Sequence, residues 1–197
     1  MGPAAERNLV LTGFMGTGKT TVGRILADRL GYGFVDTDEV IESRAGPIGE
    51  IFERGGEEVF RQLERSVARE LAGRTGLVIA TGGRMMLDAS CSACLEPAAR
   101  VVCLTAHPDI IVERIGGTGR RPLLDVPDAP ARVRELLAER AEGYARFASV
   151  ETDDRSPDEV ADAVMSLLRG RANSRTEPSH TGGAVARAAR ERSEPRD

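Results

Sequence analysis

The chain is predicted to form a three-layer α/β domain in which a mostly parallel central sheet is flanked by helices on both sides. Three observations carry this. The apolar runs in "NLVLTG" (8–13), "GLVIATGG" (76–83) and "RVVCLTA" (100–106) are short and unbroken, as in strands buried on both faces. Segments with helical spacing separate them, and strands alternating with helices imply parallel pairing through crossovers. The length, 197 residues with 41% hydrophobic content, suits one domain with a sizeable core. Aromatic residues make up only 4% and tryptophan is absent, so that core is expected to be Leu, Val, Ile and Ala.

The elements follow in order. "NLVLTG" is the first strand, and in "TTVGRILADRLG" Val22, Ile25, Leu26 and Leu30 recur at helical spacing before Gly31 supplies a stop. "YGFVD" is a second strand that delivers Asp36 and Asp38 to its carboxyl end, before a helix opening with "EVIE". Phe60, Leu63, Val67 and Leu71 mark one apolar helix face, with Arg61 and Glu64 adjacent on its flank. After "GLVIATGG", a helical "DASCSACLEPAA" leads into "RVVCLTA", and Pro108 opens a helix in "HPDIIVERI". The stretch "GGTGRRPLLDVPDAP", rich in glycine, proline and arginine, reads as a mobile surface excursion, with a lid expected at about 116–126. "ARVRELLAERAEGYARF" resumes a helix and "SVET" is a last strand. "SPDEVADAVMSLLRG" opens with Ser156 as N-cap, Pro157 at the first helical position and Glu159 completing a capping box. The domain is expected to span 1–170. From 171 to 197 periodic apolar content is lost, which predicts a disordered tail.

Charge and composition exclude several classes of function. A net charge of −4 argues against nucleic acid as a partner, and no segment approaches the ~18 apolar residues of a spanning helix. With no positive segment leading into an apolar run at the N-terminus, the expectation is a cytoplasmic protein, monomeric, without membrane or nucleic-acid partners and acting on a small molecule. Cys91 and Cys94 in "CSAC", with Cys103, read as ordinary reduced cysteines, because His107 and His180 cannot complete a convincing four-ligand zinc set.

Gly13 to Thr20, G-F-M-G-T-G-K-T, is a full match to G-x-x-x-x-G-K-[ST] in its proper setting, after a strand and before a helix. Backbone N–H groups of such a loop curl around phosphate oxygens, and the helix N-terminus adds the positive end of its dipole. Lys19 is the only lysine in a chain that uses arginine for every other fixed positive charge. A slim ammonium reaches between β- and γ-phosphates where a planar guanidinium does not fit, and the Thr20 hydroxyl suits Mg²⁺. The loop therefore predicts a P-loop fold that binds a nucleoside triphosphate with Mg²⁺, without naming an acceptor.

With "GFMGTGKTTVGRILADRLGYGFVDTDEVIE", "GEEVFRQLE", "TGG" and "RRPLL" in this order and spacing, the chain resembles the shikimate kinases over about residues 7–170. The resemblance implies ATP-dependent phosphorylation of shikimate to shikimate 3-phosphate, a step toward aromatic amino acids. It implies that Gly13, Met15, Gly16, Thr17, Gly18, Lys19, Thr20 and Thr21 cradle the nucleotide. Arg114, Arg155, Ser156 and Pro157 would lie near adenine, and Arg121 would close a lid over the phosphates. Asp36 and Thr20 would serve the metal, and Asp38 would orient the attacking hydroxyl and accept its proton. Lys19, Asp36, Asp38 and Arg121 would thus form the catalytic set. Arg61, oriented by Glu64, and Arg140 would grip the substrate carboxylate, beside the loop Gly82, Gly83 and Arg84.

Two positions depart from the family pattern. Arg84 stands where the third glycine of the substrate loop is usual, and Glu142 where a proline is common. Arg84 either projects away and leaves the pocket intact, or enters it and redirects specificity to another small hydroxylated acid or cyclitol. An ATP-binding interaction protein is the non-enzyme alternative. A nucleoside monophosphate kinase is less well matched, since its acceptor needs a base pocket.

Overall fold

The computed structural model describes residues 7–116 and 128–173. The lid segment with Arg121, and the tail from 174, lie outside the described residues. Two units are described separately, Met1–Met165 and Ser166–Asp197.

The first unit is built on β1 (Asn8–Thr12), β2 (Gly33–Asp36), β3 (Leu77–Ala80), β4 (Ala99–Thr105) and β5 (Ala148–Glu151). All paired strands are parallel, in the order β2-β3-β1-β4-β5. The helices are α1 (Lys19–Leu30), α2 (Thr37–Ala45), α3 (Ile48–Ala72), α4 (Ala89–Ala98), α5 (Pro108–Gly116), α6 (Ala129–Ala145) and α7 (Pro157–Asn173). A single 3₁₀ turn, Met85–Leu87, follows β3. The second unit contributes, among the described residues, only the end of α7, which stays helical to Asn173 although the tail was expected from 171.

Side chains of neighbouring strand positions point to opposite faces, which makes three layers. Val10 and Ile79, paired in register, bury against Phe60, Val67 and Leu71 of α3 and Leu95 of α4. Leu11 points the other way, toward α1, where a side chain on Gly23 would come 3.5 Å from it and 2.6 Å from the Phe34 ring. A second cluster, Phe14, Cys103, Ile111, Val133, Leu136 and Tyr144, joins α5 and α6 to the carboxyl ends of β1 and β4.

The expected punctuation holds. Gly31 ends α1 in the left-handed conformation, φ 67°. At the start of α7 the backbone N–H and hydroxyl of Ser156 both donate to Glu159 Oε2, at 2.7 and 2.8 Å. One feature of α3 is not foreshadowed by the apolar periodicity, a kink at Gly56 (φ 72°, ψ −174°) just ahead of Glu57.

Candidate active site

The chain order turns around β1: it leaves toward β2 and β3, then crosses to β4. Ligands of open α/β sheets bind at the carboxyl ends of strands beside such a reversal, and the loop 13–18 lies there. Gly13 has φ 129°, and a Cβ on it would sit 2.1 Å from the Leu104 carbonyl oxygen, so only glycine allows β1 to turn this tightly beside β4. Thr17, 1% exposed, donates from its hydroxyl to the Phe14 carbonyl at 2.8 Å and braces the loop from inside. The half-buried Lys19 ammonium donates to the Gly13 and Phe14 carbonyls at 3.0 and 2.8 Å. It lies folded back over the loop 13–18. Met15 is half-buried beside it, and Thr21 faces solvent on the first turn of α1.

The end of β2 brings Asp36 against the loop. Thr20 Oγ1 donates to Asp36 Oδ2 at 2.7 Å, while Asp36 Oδ1 accepts from the Asp38 backbone N–H at 3.0 Å. The capping residue of α2 is therefore Asp36, and Asp38 lies inside the first turn. A hydroxyl and a carboxylate converging on one point suit a hard, oxygen-seeking cation that takes its other ligands from water and phosphate. Among the described residues no group of three or more His, Cys, Asp or Glu is arranged to hold a metal ion.

β3 ends in the turn Thr81–Arg84. The Gly82 N–H donates to Thr37 Oγ1 at 2.9 Å, tying this turn to α2. A Cβ on Gly82 would lie 2.7 Å from Asp38 Oδ1 and 3.0 Å from Glu64 Oε1, so the backbone runs directly against both carboxylates. Arg61, on α3, donates from Nη1 to Glu64 Oε2 at 2.5 Å, and from Nε and Nη2 to Glu57 Oε1 at 3.1 and 2.8 Å. Glu64 is not on an open flank. It is 1% exposed. Burial raises its carboxyl pKa above the ordinary value against the pull of the Arg61 charge, and Asp38 and Asp88 add to the rise. Burial alone would lower the Arg61 pKa, but the Glu64 and Glu57 carboxylates outweigh it and raise it, so the guanidinium stays charged.

Arg140, on α6, is 6% exposed. Its guanidinium stands 5.1 Å from the Phe14 ring centroid, and its charge acts on the Tyr144 hydroxyl, which donates to the Gly83 carbonyl at 2.5 Å. No carboxylate pairs with Arg140 among the described residues. Burial pushes the Tyr144 hydroxyl up to about 12, so it serves as a neutral strut. Glu142 is exposed and makes no ion pair with Arg140.

Arg84 directs its guanidinium to Glu57 Oε1, 2.9 Å away, and its φ of −108° needs no glycine. Arg114 donates to the hydroxyl and carbonyl of Thr152 at 2.9 and 2.8 Å, three residues before Arg155, which is exposed with Ser156 and Pro157.

The family pattern described as Shikimate kinase matches residues 15–169. The chain belongs to the shikimate kinase family. It is 44% identical over 171 residues to the shikimate kinase of Caldanaerobacter subterraneus subsp. tengcongensis, covering 84% of this chain and 99% of that one. To the shikimate kinase of Geobacter sulfurreducens it is 43% identical, covering 85% and 93%. The solved shikimate kinase from Acinetobacter baumannii, in complex with shikimate, superposes with a TM-score of 0.80 at 37% identity, covering 84% of this chain and 94% of that one. Shikimate kinases are phosphotransferases with an alcohol acceptor, and the three-layer sheet with its P-loop is theirs.

The loop, the two aspartates, Arg61, Glu64 and Arg140 were named from the resemblance. Four supporting residues escaped it: Glu57, Thr37, Tyr144 and Thr152. Two had a usable signal, since Glu57 precedes Arg61 and Tyr144 follows Arg140 by four residues, one helical turn. Thr37 and Thr152 act across long sequence separations and had none.

Proposed function

We propose that this shikimate kinase family member transfers the γ-phosphoryl group of ATP to a ring hydroxyl of shikimate, giving shikimate 3-phosphate. The observation that carries the acceptor is Arg140: a buried guanidinium without a carboxylate is costly unless an anionic ligand completes it. The charges of Arg61, Arg84 and Arg140 all lower the Glu57 carboxyl pKa, so the three cations act on the same neighbourhood. A carboxylate held by the forks of Arg61 and Arg140 is fixed in both position and rotation.

The roles follow from the neighbours of each group. Lys19 exchanges the Gly13 and Phe14 carbonyls for phosphate oxygens, while the loop N–H groups and the start of α1 accept the remaining negative charge. Thr20 and Asp36 would hold Mg²⁺, which neutralises charge on the phosphates when bound. Asp38 orients the attacking hydroxyl and takes its proton. Arg114, with Arg155, Ser156 and Pro157, borders the adenine, and Arg121, outside the described residues, would by the family resemblance neutralise charge on the transferring group.

Arg84 is engaged by Glu57 rather than turned toward Arg140, which favours shikimate over a more anionic acceptor. The substrate clamp speaks against a protein that only binds ATP. The test is ADP release with ATP, Mg²⁺ and shikimate, omitting each in turn. Release that needs all three and is lost in Lys19→Met supports the proposal. Release indifferent to shikimate, or preference for another hydroxylated acid or cyclitol, refutes it.

A further inference from the structure

We propose that Arg84 is a positioning residue: through Glu57 it ties the turn after β3 to α3 and presets the Arg61 fork. This rests on the reading above, in which Arg61 grips the acceptor carboxylate.

The geometry starts at one oxygen. Glu57 Oε1 accepts from Arg61 Nε (3.1 Å), Arg61 Nη2 (2.8 Å) and Arg84 Nη1 (2.9 Å). Of the five N–H groups of Arg61, two go to Glu57 and one, on Nη1, to Glu64. By count, one N–H remains on each terminal nitrogen to meet an acceptor carboxylate. Arg61 can hold an acceptor only while Glu57 and Glu64 keep its plane fixed. Glu64 is buried and set by the core. Glu57 is not: it is 53% exposed and follows directly on the Gly56 kink.

Arg84 supplies the missing restraint. It reaches Glu57 from a different element, and Glu57, Arg61 and Arg84 line a cleft of about 530 Å³ on the α3 side of the turn, a cleft that Asp38 and Arg140 do not line. It also changes the electrostatics. An acceptor carboxylate must bind beside Arg61, whose charge already faces two carboxylates, and the charge of Arg84 offsets that of Glu57. A glycine at this position can do neither. The backbone at 84 lies in an ordinary right-handed conformation, so the arginine adds its side chain without straining the turn.

The experiment compares wild type with Arg84→Gly, Arg84→Lys, Glu57→Gln and the Glu57→Gln/Arg84→Gly double variant, by steady-state kinetics at saturating ATP and by titration calorimetry with shikimate. Arg84→Gly is expected to raise the acceptor KM and Kd about two- to fivefold, the range of a half-exposed ion pair, and to raise KM by more than it lowers kcat. Arg84→Lys recovers part of the loss, because it keeps the charge without the fork. Once Glu57 is neutral, removing Arg84 has less than half its original effect, since the two act as a unit. An unchanged KM in Arg84→Gly, a loss confined to kcat, or single effects that simply multiply in the double variant overturns the proposal. The same cycle is run by calorimetry with cyclohexanecarboxylate, which needs no turnover. A wild type that ignores shikimate then refutes the acceptor assignment, while the carboxylate cycle still decides on Arg84.

Discussion

Gly82→Ala is the most exacting test of the acceptor site, because its cost can be worked from distances alone. The added methyl carbon would lie 2.7 Å from Asp38 Oδ1 and 3.0 Å from Glu64 Oε1, whereas ordinary contact begins near 3.4 Å. Asp38 would have to move by about 0.7 Å, or the turn would have to back away by as much. Glu64, 1% exposed and bonded to Arg61, has nowhere to go, so Asp38 and the turn take most of the displacement. Misplacing a reacting group by about 1 Å costs on the order of 10²-fold, so a shift of this size predicts a loss of about 10- to 100-fold in kcat/KM for shikimate, about 1.4–2.7 kcal/mol in the barrier. Gly83→Ala is the control, since its new methyl meets nothing closer than 3.6 Å and is expected to cost several-fold less. A coupled ADP-release assay measures both, with thermal melting to verify folding. A Gly82→Ala enzyme within twofold of wild type, or a Gly83→Ala enzyme that is worse, would refute the claim that the backbone here sets the carboxylates.

Other outcomes follow from burial and charge. Arg140→Met is expected to raise the acceptor KM by about tenfold or more while leaving the melting temperature equal or higher, because it removes a buried charge that makes no direct ion pair among the described residues; a clear drop in melting temperature with KM unchanged would contradict this. Glu64 has a raised pKa in the folded state, so the fold binds its proton more tightly than the unfolded chain does. Its contribution is therefore fully present below the unfolded value of about 4.5 and is lost as pH rises through the folded value. Urea denaturation of wild type and Glu64→Gln above pH 4.5 is expected to show a steeper fall with pH in wild type, and parallel curves would sink the assignment. Burial pushes the Cys91 thiol up to about 12 and that of Cys103 to about 11, and both are 0% exposed. A thiol reagent such as DTNB at neutral pH should titrate Cys94 alone in the native protein and all three cysteines once denatured; fast reaction of a second native thiol would be the contrary result.

What the sequence carries by itself is what depends on local chain geometry. The buried parallel strands, the glycine stop at Gly31, the capping box at Ser156 and the phosphate loop from Gly13 to Thr20 are all written over a few consecutive residues, where backbone sterics and hydrogen bonding decide. The family signature added which distant residues matter. The tertiary structure alone decided how they are held. Asp36 rather than Asp38 caps α2, because the end of β2 turns the earlier carboxylate toward Thr20 and the helix N–H groups. Glu64 is buried because α3 packs that face against the turn at Gly82. Arg84 meets Glu57, and Tyr144 meets the Gly83 carbonyl, only because α3, α6 and the end of β3 converge. Each of these is a contact between charges or dipoles far apart in the chain, and its strength is set by burial and distance that no local pattern encodes.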